Sequence, residues 1–257
     1  MKQGSLLLLI SLIIGINACD QFTINSNSKK KKSGKESILN EQGDTVMMTY
    51  RKDGSLESSV TIKHGERNGP SYVYYKNGKV QFEIHYKDSF KDSITKYYYE
   101  SGILYRTTHY KRGIKDGIQT YYYKTGELKA EVPYQQDELV LGTKEYSTSG
   151  KLINDYPKIV VEPIDKLAFE NKYELRISLN PKMKNVSFYF NKKMDDKNVK
   201  IMLSESEQPG VVSYSYYVHP RQSIMEKVII MAEIKSKRGV PVVLTKTYNL
   251  VVDNRTY

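Results

Sequence analysis

Five glycines stand at a fixed interval of 24 residues: Gly54, Gly78, Gly102, Gly126 and Gly150. A tyrosine precedes each by four positions (Tyr50, Tyr74, Tyr98, Tyr122, Tyr146). An aliphatic side chain follows each by two (Leu56, Val80, Leu104, Leu128, Leu152). Three columns held in phase over four full periods confine this stretch to a repeat architecture. Every unit then has the same face to bury and the same kind of neighbour to bury it against.

The period reads as one β-hairpin. In the second unit Asn77-Gly78 lies between two β-prone runs, the strongest short hairpin signal, and predicts a type I′ turn with positive φ at both central residues. The other turns carry Asp53-Gly54, Ser101-Gly102, Thr125-Gly126 and Ser149-Gly150. After the turn the strand alternates: Val80, Phe82, Ile84 and Tyr86 on one side, Lys79, Gln81, Glu83 and His85 on the other. The fourth unit repeats this with Leu128, Ala130, Val132 and Tyr134. A second turn region closes each unit, at 64–69, 88–93, 112–117 and 136–142. The last of these carries Leu139-Val140-Leu141 and is expected to end the regular array. A lone hairpin cannot bury enough apolar surface to stand by itself, so the array is expected to fold as a whole. The 23 tyrosines without a tryptophan suit such half-wet sheet faces.

Tyr75, Tyr99 and Tyr123 make a second aromatic column, with Arg51 and Ser147 in its first and last positions. Neighbouring residues 74 and 75 point to opposite faces. A two-residue turn pairs Tyr75 with Val80 and buries the 75 column; a three-residue loop buries the 74 column. The sequence leaves both open, and Tyr75, Tyr99 and Tyr123 are the candidate contact row for a protein or polysaccharide. Nothing points to catalysis or to a cofactor. His85 and His109 are in phase, but equivalent residues of successive hairpins lie roughly 10 Å apart, too far to share one zinc. His64 and His219 have no evident partner, and Asp195-Asp196 is a poor cation site. The chain is expected not to be an enzyme. A glycan-acting enzyme with carboxylates brought together from distant strands is the competing reading.

Tyr110-Lys111-Arg112-Gly113-Ile114-Lys115-Asp116-Gly117, followed by Tyr122-Tyr123-Lys124-Thr125-Gly126-Glu127-Leu128, is the cleanest copy of the pattern. It resembles the bacterial variant of MORN repeats, and the resemblance covers about residues 43–153. It implies an all-β antiparallel hairpin array acting as a binding or scaffolding module. Some bacterial members carry an antitoxin-type family name, which gives a further alternative; others are exported. Ser89 and Ser93 depart from the pattern where turn glycines belong.

Beyond Tyr156-Pro157 the period stops. Seven β-prone runs follow, near 158–163, 172–179, 185–190, 199–203, 211–218, 226–236 and 242–252, which suggests an immunoglobulin-like β-sandwich over 157–257. Val242 to Val252 has apolar residues on both faces at its two ends and is expected as a central strand. The sandwich is expected to hide the open edge of the repeat sheet.

The N-terminus explains the single cysteine. Lys2 precedes an apolar run from Leu6 to Ile14, broken only by Ser11. It falls short of the roughly 20 residues of a membrane span and suits a signal peptide over 1–18. Ile16-Asn17-Ala18-Cys19 resembles the lipobox of bacterial lipoproteins. That resemblance implies cleavage before Cys19 and acyl chains on Cys19 as the membrane partner. Residues 19–42, rich in Lys, Ser and Asn, then read as a flexible tether, and 43–156 as the repeats. Asp20 does not choose the leaflet; the outer membrane of the cell envelope is expected over the inner. The formal net charge of +11 would suit nucleic acid or an anionic surface, and the export signal argues against nucleic acid.

Overall fold

The computed structural model describes residues 33–194, 197–204 and 208–255. The leader, Cys19 and the Asp195-Asp196 pair lie outside the described residues. The chain is all-β, with an antiparallel hairpin array followed by separate sheets.

The first sheet has 14 strands. In chain order they are β1 (Gly34–Leu39), β2 (Thr45–Tyr50), β3 (Leu56–Lys63), β4 (Glu66–Tyr74), β5 (Val80–Lys87), β6 (Phe90–Lys91) and β7 (Ser93–Tyr98). There follow β8 (Leu104–Lys111), β9 (Ile114–Lys115), β10 (Gly117–Tyr122), β11 (Leu128–Gln135), β12 (Glu138–Leu139), β13 (Lys144–Tyr146) and β14 (Leu152–Ile153). Spatial order follows chain order, and the short β6, β9 and β12 fold back on β5, β8 and β11.

The glycine turns are not type I′. Tyr75 N–H donates to Lys79 O (2.8 Å), Gly78 N–H donates to Tyr75 O (3.0 Å), and the same pair of bonds recurs at the other four glycines of the column. Gly78 alone in its loop takes positive φ, 82°. This is a three-residue loop closed by a glycine bulge. Across it the register slips, so that Val73 faces Phe82 while Tyr74 faces Val80. The type I′ turns sit at the opposite end of each unit. There both central residues have positive φ: His64-Gly65, Asp88-Ser89, Arg112-Gly113 and Gln136-Asp137. An Asx-Gly pair serves either turn, and only the glycine is common to the column, which is why the sequence pointed to the wrong end.

Three other expectations are corrected within the array. Residues 34–42, counted with the tether, include the edge strand β1, which pairs along its whole length with β2 and so covers that strand's free backbone groups. The turn at 136–137 is regular, and another hairpin, β13–β14, follows it. The apolar residues after that turn do not end the array; Leu139 packs against a cluster shared with the C-terminal sheets.

Those sheets are formed by β15 (Lys158–Lys166), β16 (Lys172–Asn180), β17 (Val186–Met194), β18 (Lys197–Met202), β19 (Val212–Tyr217), β20 (Ser223–Lys235) and β21 (Pro241–Asp253); a short helix, α1 (Leu167–Glu170), follows β15. One sheet runs β15-β16-β19 and the other β18-β17-β20-β21. Their inner faces share one core with Leu175, Ile177, Phe188, Phe190, Ile230 and Leu250 fully buried. β18 lies beside β17, whereas the constant-type immunoglobulin arrangement pairs the fourth strand with the fifth. β21 is an edge strand, not a central one. Its apolar residues face two ways because Val242 enters the sandwich core while Val243, of opposite parity, is buried on the outer side against β12. The sandwich covers part of a face of the repeat sheet and leaves its edge strand β14 unpaired on one side.

Candidate functional site

Cross-strand register sorts the repeat sheet into two faces. The first carries Val73, Phe82, Tyr97, Arg106, Tyr121 and Ala130, each opposite the next along β4, β5, β7, β8, β10 and β11. The second carries a polar ladder: Glu83 accepts from Tyr98 Oη (2.9 Å) and pairs with Lys96 Nζ (2.9 Å), and Glu131 accepts from Tyr146 Oη (2.9 Å).

The candidate row Tyr75, Tyr99 and Tyr123 lies along the border of the first face; Tyr99 packs 4.9 Å from Tyr105 in a tilted ring pair. All three are half-buried, as is the 74 column, because a single-layer sheet offers no second layer to cover either. Their hydroxyls are used between units. Tyr75 Oη donates to Tyr98 O (2.6 Å), Tyr99 Oη to Tyr122 O (3.0 Å) and Tyr123 Oη to Tyr146 O (2.6 Å). Burial, and then Tyr97, push the Tyr75 phenol up to about 12. Arg51, which replaces the tyrosine in the first unit, makes the same bridge with Nη2 to Tyr74 O (2.5 Å). The opposite ends of the units are stitched by backbone bonds, Ser89 N to Arg67 O, Gly113 N to Lys91 O and Asp137 N to Lys115 O.

Sequence reasoning missed two further columns in the same phase. Arg67, Lys91 and Lys115 step by 24, as do Tyr86, Tyr110 and Tyr134. Each cation sits over its own ring, at 4.8, 5.2 and 4.9 Å from the centroid. It also missed Arg106, whose guanidinium carbon lies 5.8 to 5.9 Å from the centroids of Tyr97, Tyr105 and Tyr121. Phe82 and Tyr97 stack beside it at 4.4 Å. The signal was readable. At the two strand positions filled by Phe82 and Ile84 in one unit, and by Ala130 and Val132 in another, the unit between them carries Arg106 and Thr108.

Phe82, Ile84, Tyr97, Arg106 and Thr108 line a recess of about 240 Å³ together with Lys91, Thr95 and Tyr110. Toward the C-terminal end the face closes: Tyr121, Ala130 and Val132 pack against Val240, from the turn between β20 and β21. The repeat array and the sandwich belong to one compact unit. Arg238, in that same turn, pairs with Asp155 (3.1 Å) and with the fully buried Glu145 (3.7 Å), whose Oε2 also accepts from Ser236 Oγ (3.0 Å). Lys200 joins Glu138 (3.0 Å) and Glu233 (3.3 Å) across the same junction.

Of the histidines, His85 is exposed, and His109 donates from Nδ1 to Ile118 O (2.7 Å). Among the described residues no group of three or more His, Cys, Asp or Glu could hold a metal ion.

Residues 67–88, 91–112 and 115–136 match the family described as MORN repeat variant. Repeats of this kind generally serve binding or scaffolding, which is compatible with a non-catalytic module. No curated protein matches the chain.

Proposed function

We propose that the chain is a non-catalytic binding protein of a bacterial cell envelope. It is held by acyl chains on Cys19, in the outer membrane rather than the inner, and it presents the first face of its repeats to a protein or polymer partner. One observation carries this reading. The sandwich covers that face only over its last hairpins and leaves rings and cations open from Phe82 to Tyr110, with Tyr75 and Tyr99 along the border. An uncovered run of aromatic and basic side chains on a rigid sheet is what an interaction surface needs. The lipobox, with the only cysteine of the chain at its required position, supports the anchor. Two or more acyl chains give stable attachment, and the sheet is then displayed from the surface.

Two measurements test the two halves. A fatty-acid probe should label the wild-type chain and not Cys19→Ala, with processing blocked by globomycin; an unlabelled, unprocessed wild type rules out the anchor. Full-length wild type should capture partners from envelope extracts that a Lys91→Glu, Lys115→Glu variant does not. Equal capture by both rules out this face.

A further inference from the structure

The recess beside Arg106 offers donors and no acidic acceptor. Its lining contains no carboxylate. Arg106 Nε and Thr95 Oγ1 are buried and bond to no described residue. Thr108 Oγ1 accepts from Gln119 Nε2 (2.8 Å), and Gln119 Oε1 in turn accepts from Tyr121 Oη (2.6 Å). That relay uses the Thr108 oxygen as an acceptor and leaves its hydroxyl able to donate, with Thr95 as its cross-strand neighbour. Lys91 adds a fourth donor at the rim, held in place over Tyr110. None of Arg67, Lys91, Arg106 or Lys115 forms an ion pair with a described residue. Buried donors without acceptors are costly and rare. Arg106 and Thr108 stand where the flanking units place only apolar side chains, while Thr95 stands where they carry Ser71 and Gln119.

The row of cations has a spacing as well as a sign. Arg67, Lys91 and Lys115 recur once per hairpin, so they are two strand spacings apart, roughly 10 Å. Three residues of a polyproline II helix advance about 9.3 Å and bring side chains back to the same side. Aromatic-lined surfaces are a known mode of recognising that conformation, whose extended backbone is already ordered. A fully extended β-strand repeats its side chains every two residues at roughly 6.8 Å and falls out of step with the row.

Resting on the reading of this face as a binding surface, we propose that its occupant is an acidic polypeptide segment in polyproline II conformation, lying across the strands with carboxylates three residues apart. One carboxylate enters the recess, taking charge-assisted hydrogen bonds from Arg106, Thr95 and Thr108. Those on either side meet the row of Lys91, Lys115 and Arg67.

The test is titration of the full chain with fluorescent 15-residue peptides of equal composition, glutamate falling every second, third or fourth position in a proline-alanine background. The third-position peptide should bind about tenfold more tightly than the others, the difference expected from one added charge-assisted contact. A paired variant, Arg106→Phe with Thr108→Ile, installs the second unit's own residues and so keeps the fold, checked by an unchanged thermal transition. It should lose about the same factor, as should Lys91→Gln. Equal binding of all three registers, or wild-type affinity in the paired variant, overturns the proposal. Oligogalacturonate or phosphatidylglycerol vesicles binding in place of every peptide also overturns the polypeptide, while leaving the face a binding surface. If no probe binds yet extract capture still depends on Lys91 and Lys115, this inference fails and the function reading stands. If capture is also independent of them, both fail.

Discussion

Arg238 lies 3.7 Å from the carboxylate of Glu145, which is fully buried. Glu145 stands one period after Tyr121 and two after Tyr97, in the same column of the first face. The last unit thus replaces a ring with a charge at the place where the sandwich brings its arginine. Arg238→Ala strands that charge, and loss of one partner of a buried pair costs roughly 3–5 kcal/mol. The lower end applies here, because Ser236 still donates to Glu145 and the arginine is 26% exposed. The double variant Arg238→Ala, Glu145→Tyr restores the column residue and should recover most of the loss. Denaturant titration of the three proteins checks this.

The tyrosine bridges predict graded effects from removing one oxygen. Tyr99→Phe deletes the bond to Tyr122 O and keeps the ring pair with Tyr105. A destabilisation of about 1 kcal/mol is expected. Hydrogen exchange should show faster opening centred on the Tyr99 and Tyr123 loops, with the sandwich strands unaffected.

Ser93 occupies a position where other units carry Gly69 and Gly117, and all three have positive φ: 66°, 107° and 115°. At Gly117 an added Cβ would come within 3.3 Å of His109 Cβ, so the position asks for glycine on steric grounds as well. Ser93→Gly should therefore stabilise the chain by about 1 kcal/mol, read as a higher denaturation midpoint.

Several phenols titrate above their ordinary range. Burial, and then Tyr97, hold Tyr75 at about 12; burial, and then Tyr248, hold Tyr173 at about 12. Burial, and then the neighbouring Glu145, raise Tyr156 further. The unfolded chain loses these protons near pH 10, so between pH 10 and 12 the folded state binds more protons than the unfolded one. Stability from these groups is complete below pH 10 and falls as pH rises toward 12. Thermal melts from pH 8 to 11.5 should decline above 10, and Tyr75→Phe should decline less steeply.

Much of the architecture could be read from spacing alone. The alternation in Tyr173-Leu175-Ile177-Leu179 located β16 to within a residue because one side must fill a core. The glycine column located five hairpin loops because only that residue takes their positive φ without strain. What spacing could not supply was which side of a thin sheet would be covered. Tyr75 and Tyr74 differ by one position and are both half-buried, which does not separate them; the cross-unit hydroxyl bond does, and it depends on a bulge one residue long. Val242 and Val243 read as a central strand because the second burying surface, β12, comes from a distant part of the chain. Arg106 was legible only as an interruption, by comparing one unit with its neighbours.

The bridges from Tyr75, Tyr99 and Tyr123 each reach one unit ahead and no further. The array is consequently a ruler with graduations of one hairpin, roughly 10 Å each. Inserting or removing a whole unit changes how far the Arg106 recess and the sandwich stand from the first strand without disturbing any contact inside a unit. The distance from the first strand to the recess is then set by unit count, independently of the side chains that line the recess.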